Sequence, residues 1–561
     1  MHDETLSLVR GTSEPPLLEL TIGEVLDLAV RQWPQGEAVV SCHQGIRLTW
    51  QDFAARVDAF AAGLLSLGLV PGDRVGIWAP NCAEWVITQF ATARAGLIQV
   101  NINPAYRLSE VEYTLNKVGV KALVCADRFK SSDYVGMIET LAPELVSASG
   151  DIRAERLAHL RTVIKIGGGK RPGWLSFDDV EELSSDREKL KAIAKTLTPQ
   201  DPINIQFTSG TTGLPKGATL SHRNIVNNGF FVGRAMGLRA SDRLCIPVPL
   251  YHCFGMVMGN LACVVHGATM TYASDGFDPL AVLKTVEAEH CTGLFGVPTM
   301  FIAELEHPDF SRFDLSGLRT GIMAGSACPI EVMRKVIDRM HMSDVCIAYG
   351  MTETSPVSLQ TTLEDTLERR VTTIGRVLPH LEVKIVDSEG RTVKRNEPGE
   401  ICVRGYSVML GYWNDPQKTA EVVDANGWMH TGDIGTLDAQ GYGSVVGRIK
   451  DMIIRGGENV YPREVEEFLF GHPKIEAVQI VGLPDVKYGE EVCAWIKLRA
   501  GESATTEDII AFCRGQIAHY KVPRYVRFVD TFPMTVTGKV QKFEIRKAMM
   551  EELGLSEIAT A

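Results

Sequence analysis

The chain has 561 residues, 45% of them hydrophobic and 22% charged, and its formal net charge at pH 7 is −12. This length is too great for one hydrophobic core, so we expect two or more domains. The acidic balance argues against nucleic acid as a partner, because a phosphate backbone is bound by a basic face.

The N-terminal stretch "MHDETLSLVRGTSEPPLLEL" is acidic at its start and has no apolar signal core. It matches neither a secretory signal nor an Arg-rich transit peptide, so a cytoplasmic location is expected. The 12 cysteines include no CxxC pair and no Cys/His cluster at zinc spacing. Such a pattern is typical of buried free thiols in a reducing compartment.

Strand and helix patterns alternate along the first part of the chain. "EAVVSC" and "IRLTW" predict two strands around a tight turn, and Thr49 with Asp52 predicts a capped helix. An apolar stripe at helical spacing follows, and "RVGIWAP" predicts a buried strand. Repeated units of this kind predict an α/β protein with mostly parallel sheets covered by helices.

The segment from Leu244 to Ser274 contains no Lys, Arg, Asp or Glu. Prolines and polar residues interrupt it, and its clean apolar part is too short to cross a bilayer. We therefore predict no transmembrane segment and interpret this stretch as buried core that lines a pocket. Plain core without a pocket is the alternative.

The character of the sequence changes near residue 447, where a strand, a glycine turn and a helix follow one another in "GRIKDMIIRGGENVYPREVEEFL". "AVQIVGL", "EVCAWIKLR", a helix from Thr506 and "YVRFVD" come next. We predict a large N-terminal domain over 1–447 and a small α+β domain over 448–561.

The stretch "FTSGTTGLPKGATLSH", residues 207–222, follows the apolar strand pattern "INIQF". It does not fit a P-loop, because Pro215 replaces the second glycine and Gly217 replaces the hydroxyl residue that ligates magnesium. Its remaining glycines still let backbone N–H groups approach an anion, and Lys216 adds a positive charge. The pattern predicts a strand followed by a phosphate-binding loop.

This loop resembles the signature loop of the adenylate-forming superfamily, which includes acyl-CoA synthetases, peptide-synthetase adenylation domains and firefly-type luciferases. Further blocks occur in the order found in that family: "YGMTET" at 349–354, "GEICVRG" at 399–405, "HTGD" at 430–433, "GRIKDMIIRGGENVYPREVE" at 447–466 and "TGKVQK" at 537–542. The loop and the 447–466 block are most similar to the medium-chain acyl-CoA synthetase branch.

The resemblance implies a reaction in two halves with ATP, Mg²⁺ and coenzyme A. A carboxylic acid attacks the α-phosphate of ATP to give an acyl-adenylate, and the thiol of coenzyme A then displaces AMP. Catalysis of this kind depends on positioning and on charge stabilisation around a phosphoryl centre. A small-molecule acid is thus the expected partner, and a homodimer is left open.

The resemblance also implies the nucleotide site. Thr208 and Glu353 match the magnesium ligands, Tyr349 the residue that stacks on adenine, and Asp433 with Arg448 the ribose contacts. Asn459 is a polar contact near the α-phosphate. The complete set of expected ATP-binding residues is Thr208, Ser209, Gly210, Thr211, Thr212, Gly213, Leu214, Pro215, Lys216, Gly325, Ser326, Ala327, Tyr349, Gly350, Met351, Thr352, Glu353, Asp433, Arg448, Asn459 and Lys539.

His252, in "PLYHCFG", resembles the residue between the nucleotide and acyl pockets, and a satisfied core histidine is the alternative. The acyl pocket is expected to be lined by His252, Gly255, Met256, Val297 and Met323. Amino-acid adenylating enzymes place an aspartate here to pair with the substrate ammonium, since a buried unpaired charge is costly. Its absence argues against amino-acid substrates.

Lys539, in "TGKVQK", matches the lysine that reaches the carboxylate and the α-phosphate during adenylation. Together with Glu353 and His252 it completes the expected catalytic set. Lys450 resembles the hinge about which the small domain swings between the two half-reactions, and Gly456 and Gly457 belong to the loop that then helps to admit coenzyme A.

An acyl-CoA synthetase for a medium-chain fatty acid is the leading hypothesis. Adenylation with transfer to a carrier protein or to oxygen is the first alternative, and a branched, terpenoid or aromatic acid is the second. A non-catalytic nucleotide-binding protein is a third, which the joint presence of Glu353, Asp433, Arg448 and Lys539 opposes.

Overall fold

The computed structural model describes residues 5–147, 152–183, 186–208, 215–325, 328–456, 458–535 and 539–556. The chain forms two compact units. The larger unit consists of Arg10–Glu382 and Val403–Met429. The smaller unit takes in the described parts of Met1–Val9, Val383–Cys402 and His430–Ala561.

A nine-stranded sheet of the larger unit is parallel in its centre and antiparallel at both ends. Its strands, in spatial order, are Arg376–Val377, Val357–Gln360, Asp344–Gly350, Thr320–Met323, Gly293–Gly296, Arg243–Cys245, Thr269–Tyr272, Glu37–Ser41 and Ile46–Thr49. The parallel pairs run from Asp344–Gly350 to Glu37–Ser41. The carboxyl ends of these strands therefore meet at one edge, where ligands of open α/β sheets bind.

An eight-stranded sheet of the same unit is mostly parallel as well. Its strands, in spatial order, are Leu175–Ser176, Thr162–Lys165, Val120–Cys125, Arg74–Trp78, Ile98–Asn101, Pro202–Thr208, Lys216–Ser221 and Gly411–Tyr412. Only the last three strands pair antiparallel. A two-stranded hairpin is formed by Arg128–Phe129 and Ser132–Asp133.

The helices of the larger unit cover these sheets. The α-helices are Ile22–Gln32, Trp50–Ser66, Ala83–Arg94, Leu108–Val118, Tyr134–Leu141, Phe177–Glu182, Arg187–Ala194, His222–Ala235, Ala262–His266, Pro279–Ala288, Pro298–Leu305, Ile330–Met340, Leu367–Thr372 and Pro416–Ala420; the 3₁₀ helices are Cys42–Gln44, Pro143–Ser147, Phe310–Arg312 and Thr352–Thr354. The predicted capping box of Thr49 and Asp52 is present, and the stripe through Phe53, Val57 and Phe60 is fully buried. The predicted α/β class is confirmed.

The smaller unit contains two sheets and three α-helices. A five-stranded sheet, most of which lies in this unit, has the order Leu8–Arg10, Leu381–Val386, Gly399–Gly405, Met429–Leu437, Gly443–Arg448. The second sheet has the order Glu458–Val460, Ile453–Arg455, Gly489–Leu498, Ile475–Asp485, and Tyr525–Phe528 also pairs with Gly489–Leu498. The helices are Pro462–Phe470, Thr506–Cys513 and Lys542–Leu553, with 3₁₀ turns at Ile449–Asp451 and His519–Lys521.

The predicted domain boundary between 447 and 448 falls within the strand Gly443–Arg448 and stays a prediction. Among the described residues, no helix combines the length and the apolar character needed to span a membrane. The apolar segment from Leu244 contains instead a π-helix, Phe254–Leu261, in which seven of the eight residues are buried. π-Helical segments are rare in proteins, and those that occur often lie at functional sites.

Glu304, on the helix Pro298–Leu305, is a buried carboxyl group in the core of the larger unit. It is 0% exposed, and neither carboxyl oxygen has a hydrogen-bond partner among the described residues. This burial raises the pKa of Glu304 well above its ordinary value, because the charged form loses its hydration. The folded protein therefore keeps the Glu304 proton to a higher pH than the unfolded chain does.

We predict that Glu304→Met gains stability over the parent protein as the pH rises. Above the pKa of the unfolded chain, unfolding releases the Glu304 proton, which lowers the free energy of unfolding by up to about 1.4 kcal/mol per pH unit. Urea unfolding of both proteins from pH 5 to pH 8 measures this difference. Glu304→Gln, which stays polar but cannot ionise, is the matched control and should show the same loss of pH dependence. Parallel pH profiles for all three proteins would contradict the prediction.

Candidate active site

The predicted phosphate loop connects two antiparallel strands of the eight-stranded sheet. Thr208 ends the strand Pro202–Thr208, and Lys216 begins the strand Lys216–Ser221 directly opposite it. The carbonyl oxygen of Pro215 accepts a hydrogen bond from the Tyr113 hydroxyl at 3.2 Å. The predicted strand before the loop is confirmed. The loop residues Ser209, Gly210, Thr211, Thr212, Gly213 and Leu214 lie outside the described residues.

Glu353 lies in the 3₁₀ turn Thr352–Thr354 and is only 4% exposed. Its Oε1 atom accepts hydrogen bonds from the Thr208 hydroxyl at 3.0 Å and from the Tyr412 hydroxyl at 2.9 Å. The structure thus brings together Thr208 and Glu353, the two residues predicted to bind magnesium. Both bonds end on one oxygen, and no hydrogen bond to Oε2 is formed within the described ranges. The oxygen donors of this pair fit a hard cation such as Mg²⁺.

Tyr412 is a site residue that sequence reasoning missed. Burial, with the nearby Glu353 carboxylate as a further cause, raises the pKa of the Tyr412 hydroxyl, which therefore stays protonated and donates to Glu353. The Nζ atom of Lys216 lies 4.5 Å from the centre of the Tyr412 ring, a cation–π contact. In the sequence, only the aromatic pair Tyr412 and Trp413 after the "GEICVRG" block could have indicated this residue.

Several predicted residues lie where neighbouring parallel strands of the nine-stranded sheet end. Val297 follows the strand Gly293–Gly296, and Met323 ends the next strand, Thr320–Met323. Tyr349 and Gly350 end the strand after that, Asp344–Gly350, which leads into Met351 and the turn of Glu353. The structure therefore collects these nucleotide and acyl residues at one sheet edge, as the topology of parallel sheets requires.

Two glycines at this edge meet steric constraints. A Cβ atom on Gly350 would lie 1.8 Å from the carbonyl oxygen of Pro356, so no other residue fits without a backbone shift. Gly325 has a φ angle of +88°, a conformation that glycine adopts without strain. Ser326 and Ala327, which follow it in the predicted site, lie outside the described residues.

The predicted acyl residues His252, Gly255 and Met256 lie at the start of the π-helix. The centre of the half-buried His252 ring lies 4.8 Å from that of the Tyr251 ring. The backbone carbonyl oxygen of His252 accepts a hydrogen bond from the Met256 amide. A Cβ atom on Gly255 would lie 2.5 Å from the Pro249 carbonyl oxygen. Glycine at this position therefore lets the helix pack closely against the preceding chain.

Hydrogen bonds hold both the side chain and the backbone of Met256 in place. Its sulfur atom accepts amide hydrogen bonds from Asn101 and Gln206, each at 3.1 Å, and its carbonyl oxygen accepts one from Gln89, also at 3.1 Å. The side chain is 1% exposed. A buried network of amides therefore fixes the π-helix in place, and the apolar sequence pattern gave no indication of it.

The predicted ribose residues Asp433 and Arg448 form an ion pair within the smaller unit. They face each other on antiparallel strands, and Arg448 Nε lies 2.9 Å from Asp433 Oδ1. Asp433 is only 7% exposed, whereas the Arg448 side chain is 40% exposed. A buried carboxylate held in this way is oriented to accept hydrogen bonds from hydroxyl groups.

Lys539 belongs to the same charged group. Loss of hydration, with Arg448 next in size, lowers the pKa of Lys539 to about 8, while Asp433 and Asp451 act in the opposite direction. The Lys539 amide donates to the Thr535 hydroxyl at 3.1 Å, and its carbonyl oxygen accepts from the Thr535 amide at 2.8 Å. The positive charge of Lys450, the predicted hinge, also lowers the pKa of Lys539. Lys450 lies in the exposed 3₁₀ turn Ile449–Asp451.

Asn459 lies on the exposed strand Glu458–Val460, paired with Ile454. No described contact joins it to Asp433 or Arg448, so its predicted role near the α-phosphate stays a prediction. Gly456 ends the described chain before this strand with a φ angle of +62°, and Gly457 lies outside the described residues.

Two family models match the chain. An AMP-binding enzyme model matches residues 26–413, and an AMP-binding enzyme C-terminal domain model matches residues 464–539. The chain is 49% identical over 557 residues to a medium-chain acyl-CoA ligase, named ACSF2, mitochondrial, of Danio rerio, covering 98% of this chain and 92% of the relative. The Homo sapiens protein of the same name is 46% identical over 559 residues, covering 98% and 91%.

Solved structures of similar proteins cover nearly the whole chain. An anthranilate CoA ligase, AuaEII, in complex with anthranoyl-AMP has a TM-score of 0.85 at 27% identity and covers 97% of this chain and 99% of its own. ATP-bound MatB from Rhodopseudomonas palustris has a TM-score of 0.81 at 26% identity and covers 95% and 100%. Because the AMP-binding enzyme model matches more than half of its length, the chain belongs to the family of AMP-binding enzymes.

Proposed function

We propose that the protein is an ATP-dependent acyl-CoA synthetase that activates a medium-chain fatty acid. The contact between Thr208 and buried Glu353 carries this proposal, because two oxygen donors suited to a nucleotide-bound cation meet where the strand before the predicted phosphate loop ends. The names of the relatives of Danio rerio and Homo sapiens support coenzyme A as the acceptor and a medium-chain acid as the substrate.

The first half-reaction joins a carboxylate oxygen of the acid to the α-phosphorus of ATP, and pyrophosphate leaves with its oxygen. Lys216 and Lys539 offset the repulsion between the carboxylate and the phosphates. Asp433 accepts hydrogen bonds from the ribose hydroxyls, and Tyr349 packs against the adenine. Glu353 and Thr208 would hold Mg²⁺, which would screen the charge of the phosphates when bound.

The second half-reaction joins the sulfur of coenzyme A to the acyl carbon, and AMP leaves with the carboxyl oxygen that it received. The thiol proton passes to solvent during this attack. We propose that the domain from residue 448 onward turns about Lys450 between the two half-reactions, so that Lys539 acts only in the first. The turn Ile449–Asp451, in which Lys450 lies, supports this hinge because none of its residues is buried, so no core packing there resists rotation.

The acid class follows from the apolar segment that holds His252, Gly255 and Met256. No carboxylate occurs between Leu244 and Ser274 to pair with a substrate ammonium group. Transfer to a carrier protein stays the second candidate. Thioester formation with free coenzyme A would distinguish the two.

We predict that a panel of straight-chain acids, assayed for AMP release with free coenzyme A, gives a rising kcat/KM until the pocket is full. Each buried CH₂ group should contribute up to about 0.8 kcal/mol. Each 2-amino acid, matched with the same acid without its amino group, serves as the control. Preference for the amino acid, or AMP release that does not depend on coenzyme A, would contradict the proposed function.

We predict that Glu353→Gln folds normally but slows adenylation by about 100-fold and requires more Mg²⁺. A glutamine oxygen still accepts from Thr208 and Tyr412, yet a neutral amide is a poor ligand for a hard dication. Pyrophosphate release across a series of Mg²⁺ concentrations measures both effects. Tyr412→Phe is the matched control: it removes one hydrogen bond, keeps the charge, and should cost about 5- to 10-fold at an unchanged Mg²⁺ requirement. Wild-type Mg²⁺ dependence in Glu353→Gln would refute the ligand assignment.

We predict that Lys539→Ala slows acyl-adenylate formation by about 10²- to 10³-fold and largely spares thioester formation from supplied acyl-adenylate. Lys450→Pro should show the opposite preference, because proline restricts the hinge. The two half-reactions, run separately on each variant, test this. Lys547→Ala, which removes an exposed lysine from the helix Lys542–Leu553, is the control and should change neither.

The lowered pKa of Lys539 gives the same prediction a pH signature. A lysine with a pKa of about 8 loses its charge above that pH, so kcat/KM for ATP in adenylation should fall from pH 8 to pH 9. Lys539→Arg should abolish this fall because arginine stays charged. Equal loss of both half-reactions in Lys539→Ala and Lys450→Pro would show that these residues are only structural.

A further inference from the structure

Three side chains of the smaller unit form a cluster that the proposed reaction does not use: Glu400, Cys402 and His430. Their ligand atoms all lie within 4.8 Å of one another, and within the described ranges this is the only such group of three or more His, Cys, Asp or Glu residues. Glu400 and Cys402 are two residues apart on the strand Gly399–Gly405, so they share one face of the sheet. His430 lies on the neighbouring strand, Met429–Leu437.

The three groups converge on a single nitrogen atom. His430 Nδ1 lies 2.7 Å from Glu400 Oε2 and 3.5 Å from Cys402 Sγ. His430 Nδ1 can carry only one hydrogen atom. Glu400 Oε2 and Cys402 Sγ therefore compete for a hydrogen bond with the same nitrogen. Cys402 is fully buried, while the side chains of His430 and Glu400 are 32% and 20% exposed and give access from solvent.

This spacing is close to that of a tetrahedral metal site. With Zn–S of about 2.3 Å and Zn–N of about 2.0–2.1 Å, a zinc ion holds its sulfur and nitrogen ligands about 3.5 Å apart, as Cys402 and His430 are here. The corresponding N–O separation is about 3.3 Å, so Glu400 needs to retreat by about 0.6 Å from its present 2.7 Å. Two adjacent strands supply the ligands, and strands hold ligand geometry well.

We propose that Glu400, Cys402 and His430 form a binding site for a thiophilic divalent cation, with Zn²⁺ as the ion that fits best. The ion takes the place of the shared hydrogen: the imidazole proton moves to Nε2, and the thiol proton leaves to solvent. Glu400 and the Cys402 thiolate then neutralise the two charges of the ion, and water completes the coordination. Mg²⁺ does not suit these ligands, because it prefers oxygen donors to sulfur and nitrogen donors.

The cluster is connected to the nucleotide residues. Glu400 Oε1 accepts a hydrogen bond from the Gly432 amide at 3.0 Å, next to Asp433. Thr431 donates to the Ile401 carbonyl oxygen at 2.8 Å and accepts from the Asp433 amide at 3.1 Å. When an ion draws Glu400 away, this turn loses the support that orients Asp433. The site is therefore inhibitory, a consequence that rests on the proposed role of Asp433 in ATP binding.

Cobalt binding to the full chain without nucleotide tests the site, because Co²⁺ occupies zinc sites and its absorption reports a bound thiolate. We expect one Co²⁺ per chain, a thiolate-to-cobalt charge-transfer band, displacement by Zn²⁺ and no displacement by excess Mg²⁺. His430→Asn should weaken binding by more than about 100-fold, since an asparagine Nδ can still donate to Glu400 but does not replace the imidazole ligand. Cys402→Ser should abolish the band.

Cys42→Ser is the matched control, because Cys42 is half-buried and the other cysteines are buried. It should leave the cobalt band unchanged. No thiolate band in the wild-type protein, or a band that disappears in Cys42→Ser and persists in Cys402→Ser and His430→Asn, would overturn the site. Thermal melting of each variant without metal distinguishes lost ligands from lost folding.

Equilibrium ATP binding, measured with and without one equivalent of Zn²⁺, tests the consequence. We expect the ion to weaken ATP binding by a factor between about 5 and 150, the usual range of coupling between sites, and Cys402→Ser to remove this effect. Zinc binding without any change in ATP affinity would overturn the coupling and leave the metal site standing. Absence of ATP binding in the metal-free protein would instead count against the proposed function.

Discussion

The hydrogen bonds on Glu353 Oε1 tie together three distant segments of the larger unit. Thr208 ends the strand before the phosphate loop, Glu353 follows a strand of the other large sheet, and Tyr412 belongs to a short edge strand. A carboxylate that is 4% exposed loses most of its hydration, and two hydroxyl donors offset only part of that cost. A cation bound here would offset the rest of that cost, which is why we assign the proposed Mg²⁺ to this carboxylate. The three side chains thus join strands of the two large sheets at the predicted nucleotide site.

The smaller unit handles charge in a different way. Asp433 is buried against Arg448, while Lys539 and Lys450 contribute positive charge at the same place. The positive charges of Arg448, Lys450 and Lys539 outnumber the negative charges in this group. These cations lie at partly exposed positions, where their excess charge attracts phosphate. The lowered pKa of Lys539 results first from the loss of hydration and then from repulsion by Arg448 and Lys450. A bound anion relieves that repulsion, so the group is suited to a ligand that arrives and leaves in each catalytic cycle.

Local sequence patterns predicted much of the fold because their physical causes are local. The capping box at Thr49 and Asp52 needs only four residues, and the buried stripe of the following helix needs only its own periodicity. The pairing of Asp433 with Arg448 and of Thr208 with Glu353 could be expected from a family resemblance, since family motifs preserve the geometry that the reaction needs. Tyr412 was missed because its partners lie far away along the chain.

The buried amides around Met256 show the other limit of sequence reasoning. Gln89, Asn101 and Gln206 come from separate strands and helices, and only the fold reveals that they meet at one sulfur atom and one carbonyl group. The segment around Met256 is apolar in sequence, so it predicted buried core that lines a pocket and gave no sign of the amides. Hydrophobic periodicity also could not reveal a π-helix, because nearly every side chain in Phe254–Leu261 is buried on all faces.

The π-helix has a consequence for how relatives of this protein can diverge. A π-helical turn contains more residues than an α-helical turn, so loss of a single residue from Phe254–Leu261 would allow the segment to relax into an α-helix. Each residue of an α-helix turns by about 100°, so the side chains beyond the deletion would face a different direction. Short insertions and deletions here would therefore reshape the proposed acyl pocket in one evolutionary step, without any substitution of the side chains expected to line it.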